Sequence, residues 1–254
     1  MEISIIIATY NADKVLRRCL ESIKDQLSEV VELIVIDGGS KDDTLAIIRA
    51  YEDHIFYTIS EPDKGIYDAW NKGIAKARGN WIMFIGADDI LLPDAIQNYL
   101  YAIDMTRDIG SYDYICAQNE YIDNKGKLLK IMGAAPTPGK MQKKMMAAHV
   151  ASLHSKRNLF DQVGVYDFEQ FRICSDYELL LRKGKSLKYL FLPIHIARMQ
   201  AGGMSFSIKA IVETFEIRKL HRSISPVFNS ILFVKDYALF KFFIFRKKLM
   251  GHSI

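Results

Sequence analysis

FIGADDILLP, Phe84–Pro93, decides how the chain is read. An apolar run that reads as a buried strand stops on two adjacent carboxylates, Asp88 and Asp89. Like charges held side by side resist joint ionisation when buried. A divalent cation between them and a polyanion removes that conflict. Mg2+ and Mn2+ take carboxylate oxygen and often share their shell with phosphate. The other reading is turn and helix-start chemistry, with Pro93 at the first position of a helix. The dipeptide alone leaves both open.

Working outward, the stretch belongs to a fourth strand, Trp81–Gly86, preceded by Ile3–Ala8, Val31–Asp37 and Ile55–Ser60. Helical spacing lies between them, over Asp13–Leu27, Asp42–Tyr51 and Ile66–Ala77. Strands that are apolar throughout and alternate with helices predict a parallel sheet covered on both faces, an α/β domain. Ligands bind such sheets at the carboxyl ends of the strands. Those ends carry Thr9-Tyr10-Asn11, Asp37-Gly38-Gly39-Ser40, Glu61-Pro62-Asp63-Lys64-Gly65 and Asp88-Asp89. The recurrence says more than any one cluster.

Beyond about residue 110 the pattern turns to α+β. Tyr112–Asp123 and Lys127–Met132 read as a hairpin around Asn124-Lys125-Gly126. A strand is expected near Ala148–His154, and helices over Lys156–Val163 and Asp176–Lys183. Leu187–Ile194 is apolar, and Gly202-Gly203 marks a loop. Ser175-Asp-Tyr-Glu178 has the pattern of a capping box, with Ser175 as N-cap and Asp176 in the first turn, where the helix dipole favours an ionised carboxylate. Trp70 shares a helical face with Ile66, Ile74 and Ala77 and reads as core. Pro226–Lys248 is rich in Phe, Ile and Leu and ends in basic residues. As a helix it gathers Asn229, Ser230, Asp236, Tyr237, Lys241, Lys247 and Lys248 on one arc, while Phe233, Lys235, Phe240 and Ile244 break the segregation. It reads as a membrane-interface helix or as one packed on its own domain.

The 254 residues suffice for one large domain with an extension. Half the residues are hydrophobic and a quarter charged, which is globular composition. A net charge of +4 is modest, and no nucleic-acid partner is expected. The three cysteines, Cys19, Cys116 and Cys174, form no C-x-x-C pair, as fits a reducing cytosol. The N-terminal apolar run is short for a signal peptide, and no uncharged run of roughly 20 apolar residues occurs. A cytoplasmic protein, peripheral on the inner face of the membrane, is the expectation.

SIIIATYNA, ELIVIDGGSKDDT, SEPDKGIYDAWNKGIAKARG, WIMFIGADD and RICSDYELLLR occur in this order. Together they resemble the family 2 glycosyltransferases of GT-A fold, in particular those that build bacterial surface polysaccharides. The resemblance runs from about Ile3 to Ser205. It implies a Rossmann-like, mostly parallel sheet flanked by helices. A catalytic domain would span 1–205, with a nucleotide-sugar half over 1–110 and an acceptor half over 111–205. A helical extension over 206–254 follows. It implies a nucleotide-sugar donor, a UDP-sugar first, with inversion at the anomeric carbon and a divalent cation, Mn2+ or Mg2+. By position, Thr9, Tyr10, Asn11, Asp37, Gly39, Asp63, Lys64 and Asp88 would line the nucleotide. Asp89 with Asp88 would hold the metal, and Asp176 would be the catalytic base. His149, Arg198 and Gln200 would lie near the diphosphate or acceptor. Read without the resemblance, Asp176 is an ordinary first-turn acid, Lys64 and Arg198 are surface charges, and His149 is a packed strand histidine.

The pattern departs from the family at Gly38 and Gly86, where aspartates often stand, and at Ser175, where a glutamate often precedes the base. The Q-x-x-R-W motif of processive members is missing. His195–Ser205 instead resembles the closing loop of non-processive ones, which implies one sugar per acceptor. The basic, apolar tail adds an expected acceptor at the inner leaflet, a polyprenyl-diphosphate-linked saccharide. Other classes fit less well. A nucleotidyltransferase needs a glycine-rich basic loop after the first strand, and ATYNAD has none. A glycoside hydrolase spaces its two carboxylates across a sugar and leaves the adjacent pair unexplained. A module that kept the fold and lost the chemistry is the remaining alternative.

Overall fold

A computed structural model of the chain describes residues 1–203 and 205–249; of residues 138 and 247–249 it describes only the backbone. Met204 in the expected closing loop, and the Lys247 and Lys248 side chains of the basic arc, therefore lie outside the described residues. The first half alternates: β1 (Ile3–Thr9), α1 (Leu16–Lys24), β2 (Val31–Asp37), α2 (Thr44–Arg49), β3 (Tyr57–Ser60), α3 (Ile66–Ile74) and β4 (Trp81–Gly86). There follow β5 (Ile90–Leu91), α4 (Ala95–Met105), β6 (Tyr114–Ile122), β7 (Leu128–Met132), α5 (Pro138–Met141), β8 (Ser152–Ser155), α6 (Asp161–Val163), α7 (Ser175–Arg182) and β9 (Tyr189–Gln200). Two helices close the chain, α8 (Ile208–Leu220) and α9 (Pro226–Leu249).

The strands form one sheet in the order β3-β2-β1-β4-β8-β6-β9-β5, with β7 beside β6. Strands β3, β2, β1 and β4 run parallel. Strand β8 lies antiparallel between β4 and β6, and β9 returns parallel to β6. Every residue of β1, β2 and β4 is buried, so alternate side chains enter two cores. Ile3, Ile5 and Ile7 pack under α1, α2 and α4. Ile6, Ile34 and Phe84 pack under α3 and α7. Each such side chain contributes roughly 1.5–3 kcal/mol through burial. The carboxyl ends of β1, β2 and β4 thereby open on one edge. Glu32, inside β2, is buried. It accepts from Ser4 Oγ (2.6 Å), Arg78 N (2.7 Å) and Arg78 Nε (2.7 Å), locking the turn before β4.

Five local expectations change. Strand β3 starts at Tyr57 and alternates in burial, because it is the sheet edge and has one covered face. The residues after Asp89 do not enter a helix. Ile90 and Leu91 pair with β9, Asp94 takes a left-handed conformation (φ 60°), and α4 begins at Ala95, so Pro93 lies outside it. His149–Ala151 form a 3-10 turn ahead of β8, so His149 is not a strand residue. Lys156–Phe160 is a π-helical turn. His195–Gln200 extends β9, leaving only the following residues for a loop, since Gln118–Ile122 of β6 pair with that stretch.

Helix α9 answers both earlier readings in part. It packs on α8 through Phe233 against Phe215 (ring centres 5.1 Å apart), with Phe240 on Phe206 (5.2 Å). Those are residues that spoil the amphipathic pattern, and the contact with α8 is the reason. Asn229, expected on the polar arc, is buried with Nδ2 donating to Phe215 O at 3.0 Å. Ile231, Val234 and Phe245 point outward, each more than half exposed. Among the described residues no helix is long and apolar enough to cross a membrane.

Candidate active site

The end of β4 brings the two carboxylates together over a glycine. Asp89 N donates to Gly86 O (3.1 Å), and Gly86 N donates to Asp89 Oδ2 (3.1 Å). A β-carbon on Gly86 would lie 3.0 Å from both Asp88 Oδ1 and Asp89 Oδ2. The oxygens therefore converge over Gly86, and a side chain there would have to displace them. Asp89 is 3% exposed, while Asp88 opens to solvent. Partial burial, then the Asp89 charge, raises the pKa of Asp88. His149 Nε2 stands 3.5 Å from Asp89 Oδ2. Burial pulls the His149 imidazole down, but its contact with Asp89 and the fields of Asp176 and Asp88 outweigh it, and its pKa is raised.

The donor set fits a hard divalent cation: two convergent carboxylates whose charges need a counter-ion. Among the described residues no group of three or more His, Cys, Asp and Glu side chains could hold a metal. Oxygens of a bound diphosphate and water would complete the shell.

Asp176 faces the same space from the first turn of α7. Asp88, Asp89, His149, Asp176 and Gln200 all line one cavity of about 440 Å3, a volume suited to a small ligand. Asp176 Oδ1 accepts from Tyr67 Oη (2.9 Å) and from Tyr177 N (2.8 Å). Burial raises its pKa, against the lowering pull of His149 and of the Tyr67 hydrogen bond. Local desolvation thus exceeds the helix-end preference expected from sequence. The capping box does not form. Cys174 is the N-cap, Ser175 Oγ is buried without a partner, and Glu178 turns away to Arg182 (3.0 Å) and His221 (2.8 Å).

The expected nucleotide residues gather at the ends of β1–β3, outside that cavity. Asp37 is fully buried, and its oxygens accept from Gly39 N (3.1 Å), Ser40 N (2.9 Å) and the Ser40 and Ser60 hydroxyls. It shapes the loop that follows β2. Gly39 supplies the turn with a φ of 83°. Asn11, also left-handed, donates its N–H to Ser40 Oγ and accepts from Lys41 N. Thr9 Oγ1 is buried without a partner, and Tyr10 is 63% exposed with its ring free for stacking. A β-carbon on Gly38 would lie 2.5 Å from Asp63 Oδ2 and 3.4 Å from Tyr10 Cδ2. Asp63 therefore fills the space that a side chain at 38 would take. Burial raises its pKa.

Two expected cations are engaged elsewhere. Lys64 pairs with Glu169 on the surface, and Arg198 Nε bonds Glu120 Oε2 at 2.8 Å; neither lines the cavity. The strand extension of β9 turns Arg198 toward Glu120, and Met199 and Gln200 reach the cavity instead. Trp70 is core as expected, with its ring 5.0 Å from that of His149. Tyr67, Arg172 and Lys144 also line the cavity, with Met132, Met145, Met146 and Met199. None of these was among the expected site residues, although Tyr67 and Arg172 lie in two of the quoted stretches. The signal at hand was Tyr67, one residue inside a helix that follows a site loop.

A model described as glycosyl transferase family 2 matches residues 4–161, more than half of the chain. The chain belongs to that family. A PGL/p-HBAD biosynthesis glycosyltransferase of Mycobacterium tuberculosis is 43% identical over 91 residues, 35% of this chain. The aligned part spans 36% of that relative's length. A second M. tuberculosis glycosyltransferase is 33% identical over 186 residues, covering 71% of this chain and 68% of its own. Among solved structures, S. aureus TarS 1-349 in complex with UDP-GlcNAc matches 92% of this chain and 71% of its own, at TM-score 0.66 and 14% identity. The Pyrobaculum calidifontis mannosyltransferase PcManGT, in complex with GDP-Man and Mn2+, covers 93% of this chain and 69% of its own, at TM-score 0.63 and 17% identity. These likenesses place the sheet and its helices in the GT-A fold. A side chain at 38 would meet the carboxylate of Asp63, and one at 86 would crowd those of Asp88 and Asp89.

Proposed function

We propose that the protein is an inverting glycosyltransferase that moves one sugar from a nucleotide-sugar donor to a hydroxyl of a lipid-linked saccharide. The supporting observation is the meeting of Asp88, Asp89 and Asp176 in one cavity. The nucleotide lies along Thr9, Tyr10 and Asp63, with Tyr10 stacked on the base. Its diphosphate reaches Asp88 and Asp89, which hold Mg2+ or Mn2+. The ion supplies charge neutralisation for the leaving group. The acceptor oxygen attacks the anomeric carbon from the face opposite the nucleotide. The new C–O bond forms as the bond to the diphosphate breaks, and the proton passes to Asp176. A carboxylate with a raised pKa is the better base for that step.

A UDP-sugar is the donor we favour, since one structural neighbour is a complex with UDP-GlcNAc. The outward apolar residues of α9, with Lys235, Lys241 and Arg246 among them, support attachment to an anionic membrane surface. Such attachment suits work on the cytoplasmic face of the inner membrane, in surface-polysaccharide synthesis. Incubating the protein with UDP- and GDP-sugars and a saccharide acceptor, with product read by mass spectrometry, tests the reading. Transfer with the anomeric configuration inverted supports it. Retention of configuration, or donor binding with no turnover on any acceptor, contradicts it.

A further inference from the structure

The catalytic cavity borders a second cavity of about 560 Å3 beneath the C-terminal helices: Lys144, Cys174, Ser205 and Thr214 line both. The second cavity lies between α8 and α9. Ile211, Leu239 and a cluster of phenylalanines, Phe206, Phe240, Phe242 and Phe243, form its walls. Phe206 packs against Phe240 and Phe243 with ring centres 5.2 and 5.1 Å away. An open apolar recess of this kind marks a binding surface for an apolar group.

The boundary between the two cavities carries positive charge. Lys144 lines both and Lys143 lines the second; both are exposed, and neither joins an ion pair among the described residues. Behind them Arg218 is 1% exposed, and its Nη1 donates to Lys143 O at 3.1 Å. Its Nε and Nη2 have no partner. Asp236 is the one carboxylate among the lining residues of the second cavity. The sequence of environments is then a catalytic cavity that holds the carboxylates, a cationic boundary and an aromatic slot.

We propose that the slot between α8 and α9 takes the hydrocarbon chain of a lipid phosphate acceptor. Lys143 and Lys144 meet its phosphate groups, and its sugar lies beside Asp176. This rests on the transferase reading above and gives it a place for the acceptor. An amphiphile ordered sugar, phosphate, hydrocarbon matches the three environments in register. A bilayer would instead meet the outward residues Ile231 and Val234, which do not line the slot. A peptide would need partners for its backbone, and the slot walls are chiefly aromatic and aliphatic.

The test uses the full chain and two probes, a C15 prenyl diphosphate and inorganic pyrophosphate, titrated into the native protein, Lys143→Gln and Leu239→Glu. UDP and GDP with Mn2+ are titrated alongside. Leu239 is 56% exposed, so the acid is tolerated by the fold. The proposal expects the prenyl compound to bind at least a hundredfold tighter than pyrophosphate. Leu239→Glu weakens the prenyl probe tenfold or more and leaves pyrophosphate unchanged. Lys143→Gln weakens both severalfold. Nucleotide binding stays as in the native protein. Equal affinity for the two probes overturns the proposal, as does a Leu239→Glu protein that binds the prenyl probe normally. Competition by phosphatidylglycerol vesicles as strong as by vesicles carrying the prenyl lipid overturns it too, in favour of a bilayer face. Nucleotide binding without prenyl discrimination refutes the slot and spares the transferase reading. Prenyl discrimination without nucleotide binding does the reverse.

Discussion

Asp176 sits between two opposing influences, burial that raises its pKa and the Tyr67 hydroxyl that stabilises its charge. Burial also raises the pKa of Tyr67 well above its usual value, so the phenol stays protonated and remains a donor. Replacing Asp176 by Asn should leave nucleotide affinity near native and lower kcat by about a hundredfold to ten-thousandfold, the range of general-base removal. Residual activity above a tenth of native would exclude Asp176 as the base. In Tyr67→Phe the charged form of Asp176 loses a hydrogen bond, so its pKa rises further. The acidic limb of the kcat/KM profile should then move to higher pH; an unmoved limb would show that Tyr67 acts only in packing. Gly38→Ala should displace the Asp63 carboxylate, 2.5 Å from the new carbon. Nucleotide affinity should fall several-fold with little change in melting temperature, and calorimetry beside a thermal melt separates the two. The positions of Asp88, Asp89 and Asp176 were legible because each ends or starts an element. Tyr67 was not: a tyrosine on an amphipathic helix looks like core until the partner helix is in place.

Helix α7 carries Asp176, and Glu178 two residues along anchors the helix. That buried carboxylate accepts from Arg182 on its own helix and from His221 at the end of α8. Burial raises its pKa, but the His221 and Arg182 bonds outweigh that and hold it low. A depressed carboxylate stabilises the fold above its unfolded pKa, about 4.3, and that support is lost as pH falls through the folded value. Glu178→Ala leaves both partners half-buried without a counter-charge and should cost about 3 kcal/mol, measured by urea unfolding. A change under 1 kcal/mol would mean that α7 is held by its leucines alone. The same element shows where pattern reading stops. S-x-x-E predicted a local cap, yet the glutamate found distant partners in α8. Likewise His149 read as a strand residue, because a 3-10 turn before a short strand has no period of its own. Strands β1, β2 and β4 were legible to within a residue, since seven or six buried positions in a row admit little else.

Over the whole molecule, one sheet joins both halves of the chain, and α8 with α9 lies beside the cavity that holds the carboxylates. His154 is wholly buried among Phe84, Tyr114 and Phe160, and burial pushes its pKa down to about 3. Its folded pKa lies below the unfolded value near 6.5, so the unfolded state binds the proton first. Stability is full above about pH 6.5 and should decline from there toward pH 3. In His154→Phe that part of the decline should vanish in melts recorded across the range; an identical pH dependence would mean that His154 is not kept neutral by the fold. The outward residues of α9 predict a second behaviour of the entire protein. Ile231→Ser with Val234→Ser and Phe245→Ser should reduce binding to anionic vesicles at least tenfold without altering nucleotide affinity. Unchanged sedimentation with vesicles would remove the membrane from the account. The parallel half and the helical tail were both evident in sequence. The packing of α9 was not, since its outward and inward faces are both apolar and only the contact with α8 tells them apart.

The central claim is that Asp88 and Asp89 bind a nucleotide diphosphate through a divalent cation. Calorimetric titration of the native protein and of Asp89→Asn with UDP and GDP, each with Mn2+ and with chelator, tests it most directly. One nucleotide should bind in the presence of Mn2+, lose at least tenfold in affinity with chelator, and bind Asp89→Asn as weakly with the metal as without it. Binding that ignores both metal and substitution, or no binding of either nucleotide, would contradict it and leave the pair as a structural turn at the end of β4.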